Sequence, residues 1–286
     1  MAELVSIVMP FLDGERFMAE AVDSVLAQTH PAWELLLVDD GSSDGSPELA
    51  LRFARAHPGR IRYLEHPGRA NRGTSASRNL GIRHANGSSV AFLDCDDVWL
   101  PHKLASQLEV FQAHPEVDLT FGPVYVWYEW PGQVEAAKDY VYHQVGGDYD
   151  RAIVPPDLLL RHLRKYDGMP PPTTALVRRA AIERVGGYEE AFTGMFDDEV
   201  FFSKLALAGS TWVTSAYHAR YRQHARSMCA LAAARGEYSY DPRIPSPARG
   251  RFLAWLRDYV VHLPMGGGEL AALIDAQLRA YDGRPA

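Results

Sequence analysis

Ser88-Ser89-Val90-Ala91-Phe92-Leu93-Asp94-Cys95-Asp96-Asp97 decides the fold: a wholly apolar run stops abruptly in three carboxylates within four residues. A short apolar run bounded by turn formers predicts a buried strand of a mostly parallel sheet. Open α/β sheets place their ligands beyond the carboxyl ends of such strands, which is where these acids stand. Clustered carboxylates repel one another and are costly to desolvate, so something positive should meet them. A hard divalent cation with oxygen ligands meets that need, and it commonly brings a phosphate-bearing substrate with it.

Working outward, strand and helix signals alternate at short spacing. Val5–Pro10 predicts a strand, and Phe17, Ala21, Val22, Val25 and Leu26 recur at helical spacing within Arg16–Gln28. Leu35–Val38 is a second apolar run that ends in acids, Asp39-Asp40-Gly41-Ser42-Ser43-Asp44. Ser46 as cap and Pro47 in the first turn predict a helix to about Ala56. Strands at Ile61–Leu64 and Val90–Leu93 and helices at Ser75–His84 and Lys103–Ala113 complete a series of βα units with short loops. Such a series implies parallel strands in a doubly wound arrangement. Beyond it the pattern is less regular. Strands are expected at Leu119–Tyr128, Thr174–Arg178 and Thr211–Tyr217, and helices at Asp157–Lys165, Ala181–Val185 and Asp198–Ala208. Pro242–Pro247 reads as a connector to two further helices, Arg251–Leu263 and Glu269–Tyr281.

Bulk properties narrow the class. The chain has 286 residues, 47% of them hydrophobic and 23% charged, with a net charge of −7, the composition of a globular protein with a sizeable core. That charge argues against a general nucleic-acid binder, which concentrates positive charge to neutralise phosphates. The two cysteines, Cys95 and Cys229, have neither metal spacing nor a disulfide framework, as suits a reducing compartment. Neither a leader nor an apolar run of the roughly 18–20 residues that a membrane span requires is seen. These features predict a cytoplasmic protein and leave open peripheral contact at the inner face of a membrane.

Two acid-ended strands that lie near each other at one edge of the sheet suggest a nucleotide site, with one acid accepting hydrogen bonds from a base or ribose and the other cluster holding a metal. The same residues also suit turns and helix caps. Five segments, in order, resemble the inverting, nucleotide-sugar-dependent glycosyltransferases of family 2, which have the GT-A fold. They are Ser6–Pro10, Ala21–Thr29, Val38–Asp44, Asn71–Gly81 and Phe92–Asp97. The resemblance covers about residues 4–229. It implies a mostly parallel α/β sheet with helices on both faces and a C-terminal helical extension. The implied GT-A domain is 1–229, with a nucleotide-sugar-binding half at about 1–120 and an acceptor half at about 121–229; residues 230–286 form the connector and helices.

The resemblance also implies roles. Donor contacts fall at Pro10, Asp40, Arg78, Asp94, Asp96 and Asp97: Asp40 on the base, Arg78 on the base or diphosphate, Asp94 near the ribose. Mn²⁺ or Mg²⁺ would sit at Asp96, with His224 of Tyr221-Arg222-Gln223-His224 completing its shell and Arg222 offsetting phosphate charge. Phe196-Asp197-Asp198-Glu199 resembles the family's Glu-Asp motif, which makes Asp198 the general base, although Glu199 beside it blurs the assignment and the alternative is a helix cap. Leu12 stands where an aromatic is common and Arg72 where a glycine is, so the preference for a UDP-sugar is an expectation weakened by both. For the acceptor, the resemblance allows a glycan, a lipid-linked intermediate or a small molecule. Tyr125, Trp127, Tyr128 and Trp130 read equally as a sugar-stacking platform or as core. Tyr140, Tyr142 and Tyr149 fall in an expected loop, a candidate lid. The Arg251–Leu263 helix is expected to dock on the body, with a homodimer contact or membrane surface as alternatives.

Two other functions compete. A sugar nucleotidyltransferase would need a Gly-rich basic loop near the N-terminus, which Gly14 alone does not supply. A non-catalytic nucleotide-sugar-binding module would not need Asp96, Asp198 and His224 together.

Overall fold

In a computed structural model of the chain, residues 2–131, 138–165, 168–264 and 268–281 are described; the last five positions of the segment 230–286 lie outside them. The first half alternates as its apolar pattern requires: β1 (Val5–Phe11), α1 (Glu15–Leu26), β2 (Trp33–Asp39), α2 (Ser46–Ala56), β3 (Ile61–Glu65), α3 (Thr74–His84), β4 (Ser89–Phe92), β5 (Val98–Trp99) and α4 (Lys103–Ala113). The second half follows with β6 (Val117–Phe121), β7 (Val124–Trp127), β8 (Tyr140–Tyr142), β9 (Arg151–Ile153), α5 (Asp157–Lys165), β10 (Leu176–Arg178), α6 (Arg179–Val185), α7 (Asp197–Ala208), β11 (Ser210–Val213) and β12 (Ala219–Arg222). Helices α8 (Met228–Ala234), α9 (Pro247–Val261) and α10 (Gly268–Leu278) close the series.

Eight strands form one sheet in the order β3-β2-β1-β4-β10-β6-β11-β9. Its first four strands are parallel, and β10 runs antiparallel between β4 and β6. Strands β5-β12-β7-β8 make a smaller sheet. The chain steps outward from β1 through β2 to β3 and returns on the other side at β4. The crevice at that reversal is where doubly wound sheets bind ligands. Register aligns Phe11 with Asp39 and Val8 with Phe92, so the acid-tipped ends of β2 and β4 flank the end of β1.

Alternation along β1 builds two cores. Val8 faces the cluster shared with α5, α7, α9 and α10, whereas Ile7 and Met9 face α1 and α4. Phe252, Leu253, Leu256 and Val260 of α9 are buried in the first cluster with Leu270 and Ile274 of α10, so the C-terminal helices dock on the body through their apolar face.

Several elements differ from expectation. Leu119–Tyr128 is two strands in two sheets, because Pro123 has no N–H to continue the ladder. A Cβ on Gly122 would lie 2.4 Å from the Ala216 carbonyl oxygen, which also favours the break there. Tyr140–Tyr142 lies in a strand paired with β7 instead of a loop. Ser46 sits inside α2, where the Asp44 carboxylate accepts its backbone N–H at 2.9 Å.

Candidate active site

A cleft of about 1010 Å³ opens over the ends of β1, β2 and β4, and its walls include Pro10, Asp40, Arg78, Asp94, Asp96, Asp198 and His224. Of the expected site residues, only Asp97 is absent from the wall. Its side chain is fully buried, with Oδ1 accepting the Arg222 backbone N–H at 2.9 Å. Burial and the nearby Asp96 and Asp94 push its carboxyl well above the usual range.

The loop after β2 is folded around its own acids. Asp39 accepts from the Ser42 N–H at 2.8 Å and the Tyr63 hydroxyl at 2.9 Å. Asp40 accepts from the N–H groups of Arg72 and Gly73 and from the Ser77 hydroxyl, at 2.8, 3.0 and 3.1 Å. Its carboxylate therefore pins the 71–77 segment against β2 while bordering the cleft. Gly41 makes that crossing possible: its φ is +85°, and a Cβ there would lie 2.7 Å from the Arg69 carbonyl oxygen. Leu12 is exposed on the cleft wall, beside the buried Phe11.

Arg78 holds the two halves of the site together. One guanidinium nitrogen donates to Asp94 and the other to Asp197, both at 2.8 Å, while the ring of Tyr188 lies 5.2 Å beneath. The arginine is 4% exposed, and its buried Nε has no hydrogen-bond partner among the described residues. No local sequence signal pairs Arg78 with Asp197, since 119 residues separate them.

At the end of β4, Asp96 Oδ2 lies 2.9 Å from His224 Nε2, and Phe17 packs on the imidazole with ring centroids 4.8 Å apart. Among the described residues no cluster of three or more His, Cys, Asp or Glu forms an all-protein metal cage. The pair still fits a divalent cation. One carboxylate and one imidazole bordering this cleft leave most coordination positions to a ligand's oxygens or to water, as Mg²⁺-type sites commonly do. Arg222, expected to offset phosphate charge, is sequestered instead. It is 2% exposed, donates through Nε to the Asp96 carbonyl at 2.7 Å and pairs with Glu20. Trp127 packs against its guanidinium at 4.4 Å, and Trp130 takes Arg16 at 4.8 Å. Both indoles are buried, so neither is available as a sugar platform.

Across the cleft, the first turn of α7 carries Asp197, Asp198 and Glu199. Asp197 pairs with Arg78, and Glu199 pairs with His162 at 3.0 Å. Among the described residues Asp198 forms no ion pair; its Oδ1 accepts the Glu199 N–H at 2.8 Å. Desolvation first, then the charges of Asp197 and Glu199, raise its carboxyl to about 8. Phe196, which leads into the helix, has φ +71°. Its ring stacks on Phe252 of α9 at 5.4 Å and meets Tyr238 edge-on at 6.1 Å.

A parallel α/β core with facing acid clusters across a crevice defines a GT-A glycosyltransferase fold, and solved structures of that fold superpose on the chain. TarS 1–349 of Staphylococcus aureus, solved with UDP-GlcNAc, matches with a TM-score of 0.63 at 18% identity, covering 97% of this chain and 71% of that one. The mannosyltransferase PcManGT of Pyrobaculum calidifontis, solved with GDP-Man and Mn²⁺, matches with a TM-score of 0.64 at 17% identity, covering 98% and 70%. Residues 6–186, more than half of the chain, match Glycosyl transferase family 2, and the chain belongs to that family. It is 39% identical over 110 residues to the putative teichuronic acid biosynthesis glycosyltransferase TuaG of Bacillus subtilis, covering 37% of this chain and 41% of TuaG. It is 38% identical over 107 residues to the UDP-Glc:alpha-D-GlcNAc-diphosphoundecaprenol beta-1,3-glucosyltransferase WfgD of Escherichia coli, covering 37% and 40%. The matched part spans about two fifths of the length of these two curated relatives.

Proposed function

We propose that the chain is an inverting glycosyltransferase that moves one sugar from a nucleoside-diphosphate sugar, with UDP-sugars favoured, to an acceptor hydroxyl. The observation that carries this reading is the position of Asp198: alone among the three acids of its turn it lacks an ion pair among the described residues, and it shares a cleft with Asp94 and Asp96. An unpaired carboxylate with a raised pKa is suited to accept the acceptor's proton as its oxygen attacks. Attack from the face opposite the diphosphate inverts the anomeric carbon without a covalent enzyme intermediate. Asp94, Asp40, Pro10 and Arg78 border the donor end of the cleft, and Arg78 fixes its two acids in place. Asp96 and His224 would hold Mn²⁺ or Mg²⁺, which when bound offsets the charge of the departing diphosphate.

The reading extends to the whole chain: 1–229 as the GT-A domain, divided near 120 into donor and acceptor halves, and 230–286 as connector and helices. A cytoplasmic setting is supported by the two free cysteines. No helix among the described residues is long and apolar enough to cross a membrane, and peripheral contact with the inner face is part of the proposal.

Thermal stability measured with UDP-, GDP-, CDP- and dTDP-sugars, each with and without Mn²⁺, tests the donor site. Binding to the folded state alone adds about 2.7 kcal/mol at a hundredfold excess over Kd. A Mn²⁺-dependent shift with one nucleotide is the expected result, and no shift with any would overturn the reading.

A further inference from the structure

We propose that Arg222 is a positioning residue for the Asp96–His224 pair, and that Glu20 of α1 offsets its charge so that a divalent cation can approach. Both roles rest on the metal half of the reading above and go beyond it, since neither Arg222 nor Glu20 is placed as a ligand. Arg222 reaches the pair from two directions. Its Nε donates to the Asp96 carbonyl at 2.7 Å, and its backbone N–H donates to Asp97 at 2.9 Å. His224 stands two residues further along the chain. One buried arginine thus ties the turn after β4 to the strand end that leads into His224.

The guanidinium is itself boxed by aromatics. Register sets Trp127 of β7 beside Arg222 of β12. The guanidinium carbon lies 4.4 Å from the centre of the Trp127 ring, 4.8 Å from Phe17 and 5.1 Å from Trp130. A planar, weakly hydrated guanidinium suits such a box; an ammonium in its place would lose both the stacking and the directed Nε–H. The same aromatics hold the chain that enters His224. Phe17 packs on the imidazole at 4.8 Å, Trp130 Nε1 donates to the Gln223 carbonyl at 2.9 Å, and the Gln223 N–H donates to the Trp127 carbonyl at 2.9 Å. The charge of the arginine has to be offset too, because a guanidinium against the Asp96 backbone repels a cation at that carboxylate. The Glu20 carboxylate meets Nη2 at 2.5 Å while staying half exposed. Phe17 and Glu20 stand three apart on α1, so one helix face supplies a wall of the box and its counter-charge.

Electron paramagnetic resonance titration of Mn²⁺, alone and with UDP or GDP, reads the site without turnover, and circular dichroism checks the fold of each variant. Arg222→Lys keeps the charge without the Nε contact or the stacking. It should weaken Mn²⁺ binding about 10–100-fold, as loss of an outer-shell partner does. Glu20→Gln should weaken it about threefold, the effect of one charge near the surface. Asp23→Asn removes the same charge one turn further from the cleft on α1 and should leave Mn²⁺ affinity unchanged. An Arg222→Lys protein that melts earlier yet binds Mn²⁺ as the wild type does overturns the positioning role, because a purely structural residue behaves that way. Equal losses in Glu20→Gln and Asp23→Asn overturn the role of Glu20. If Arg222→Lys does not fold, Glu20→Gln carries the test, and unchanged Mn²⁺ affinity there overturns the proposal. A wild-type protein that binds no Mn²⁺ in any of the three mixtures overturns the metal assignment and this proposal with it. Glycosyltransfer is read apart from both, by whether any nucleotide sugar shifts the melting temperature.

Discussion

Two acid clusters face each other across the cleft, and they handle their charge differently. At the end of β4 the three carboxylates separate: Asp94 turns to Arg78, Asp96 to His224, and Asp97 goes inward beneath the Arg222 backbone. At the start of α7, two of the three are held by Arg78 and His162, and Asp198 remains without an ion pair among the described residues. The first cluster disperses its charge over three separate partners. The second concentrates negative charge around one carboxyl and so strengthens it as a base. Asp94 and Asp197 share one arginine, so the two arrangements are mechanically joined.

The sharpest way to break this contrast is Asp198→Asn. Transfer should fall about 10³-fold, within the range for loss of a general base, while donor affinity stays within about twofold; steady-state kinetics and donor titration measure both, and near-normal transfer would remove Asp198 from the role. Arg78→Ala tests the joint. It leaves Asp197 buried without its cation, a loss of about 3–5 kcal/mol in folding stability by denaturant titration. Asp96→Asn should lower Mn²⁺-dependent turnover by about 10²-fold, the equivalent of a few kcal/mol of charge stabilisation, and intact Mn²⁺-dependent donor binding would contradict the metal assignment.

The pH dependence is subtler. Because the Asp198 carboxyl is raised to about 8, kcat/KM should climb with pH through an acidic limb centred near that value. Folding keeps this group protonated beyond the range in which an unfolded Asp ionises, so its contribution to stability declines as pH rises from about 4 towards about 8. The smallest expected effect is from Glu199→Gln, which removes one of the charges that raise Asp198 and should move the limb down by about half a pH unit. An unmoved limb would place the titration elsewhere.

The first 120 residues were legible because their information is local. An apolar run closed by acids can be recognised wherever it occurs, and Lys103–Ala113 forms a helix with the bounds its spacing predicts. What escaped the sequence depends on where side chains point once the sheet has formed. Asp97 and Arg222 stand in the right segments and face inward, because a turn's side-chain directions are settled by what packs beneath it. Trp127 and Trp130 look like a sugar platform until their arginine partners are seen. Gly122-Pro123 was the available sign that Leu119–Tyr128 could not be one strand. Nothing local announces that Arg78 reaches Asp197.

Phe196 enters α7 with a left-handed backbone that a bulky residue adopts only under constraint. That constraint comes from Tyr238 and Phe252, residues more than forty positions further on. The tail after residue 230 thus works as a jig for the residue just ahead of Asp198. Exchanging tails between family members would retune the aim of the Asp198 carboxyl even if every residue of its own turn were left untouched.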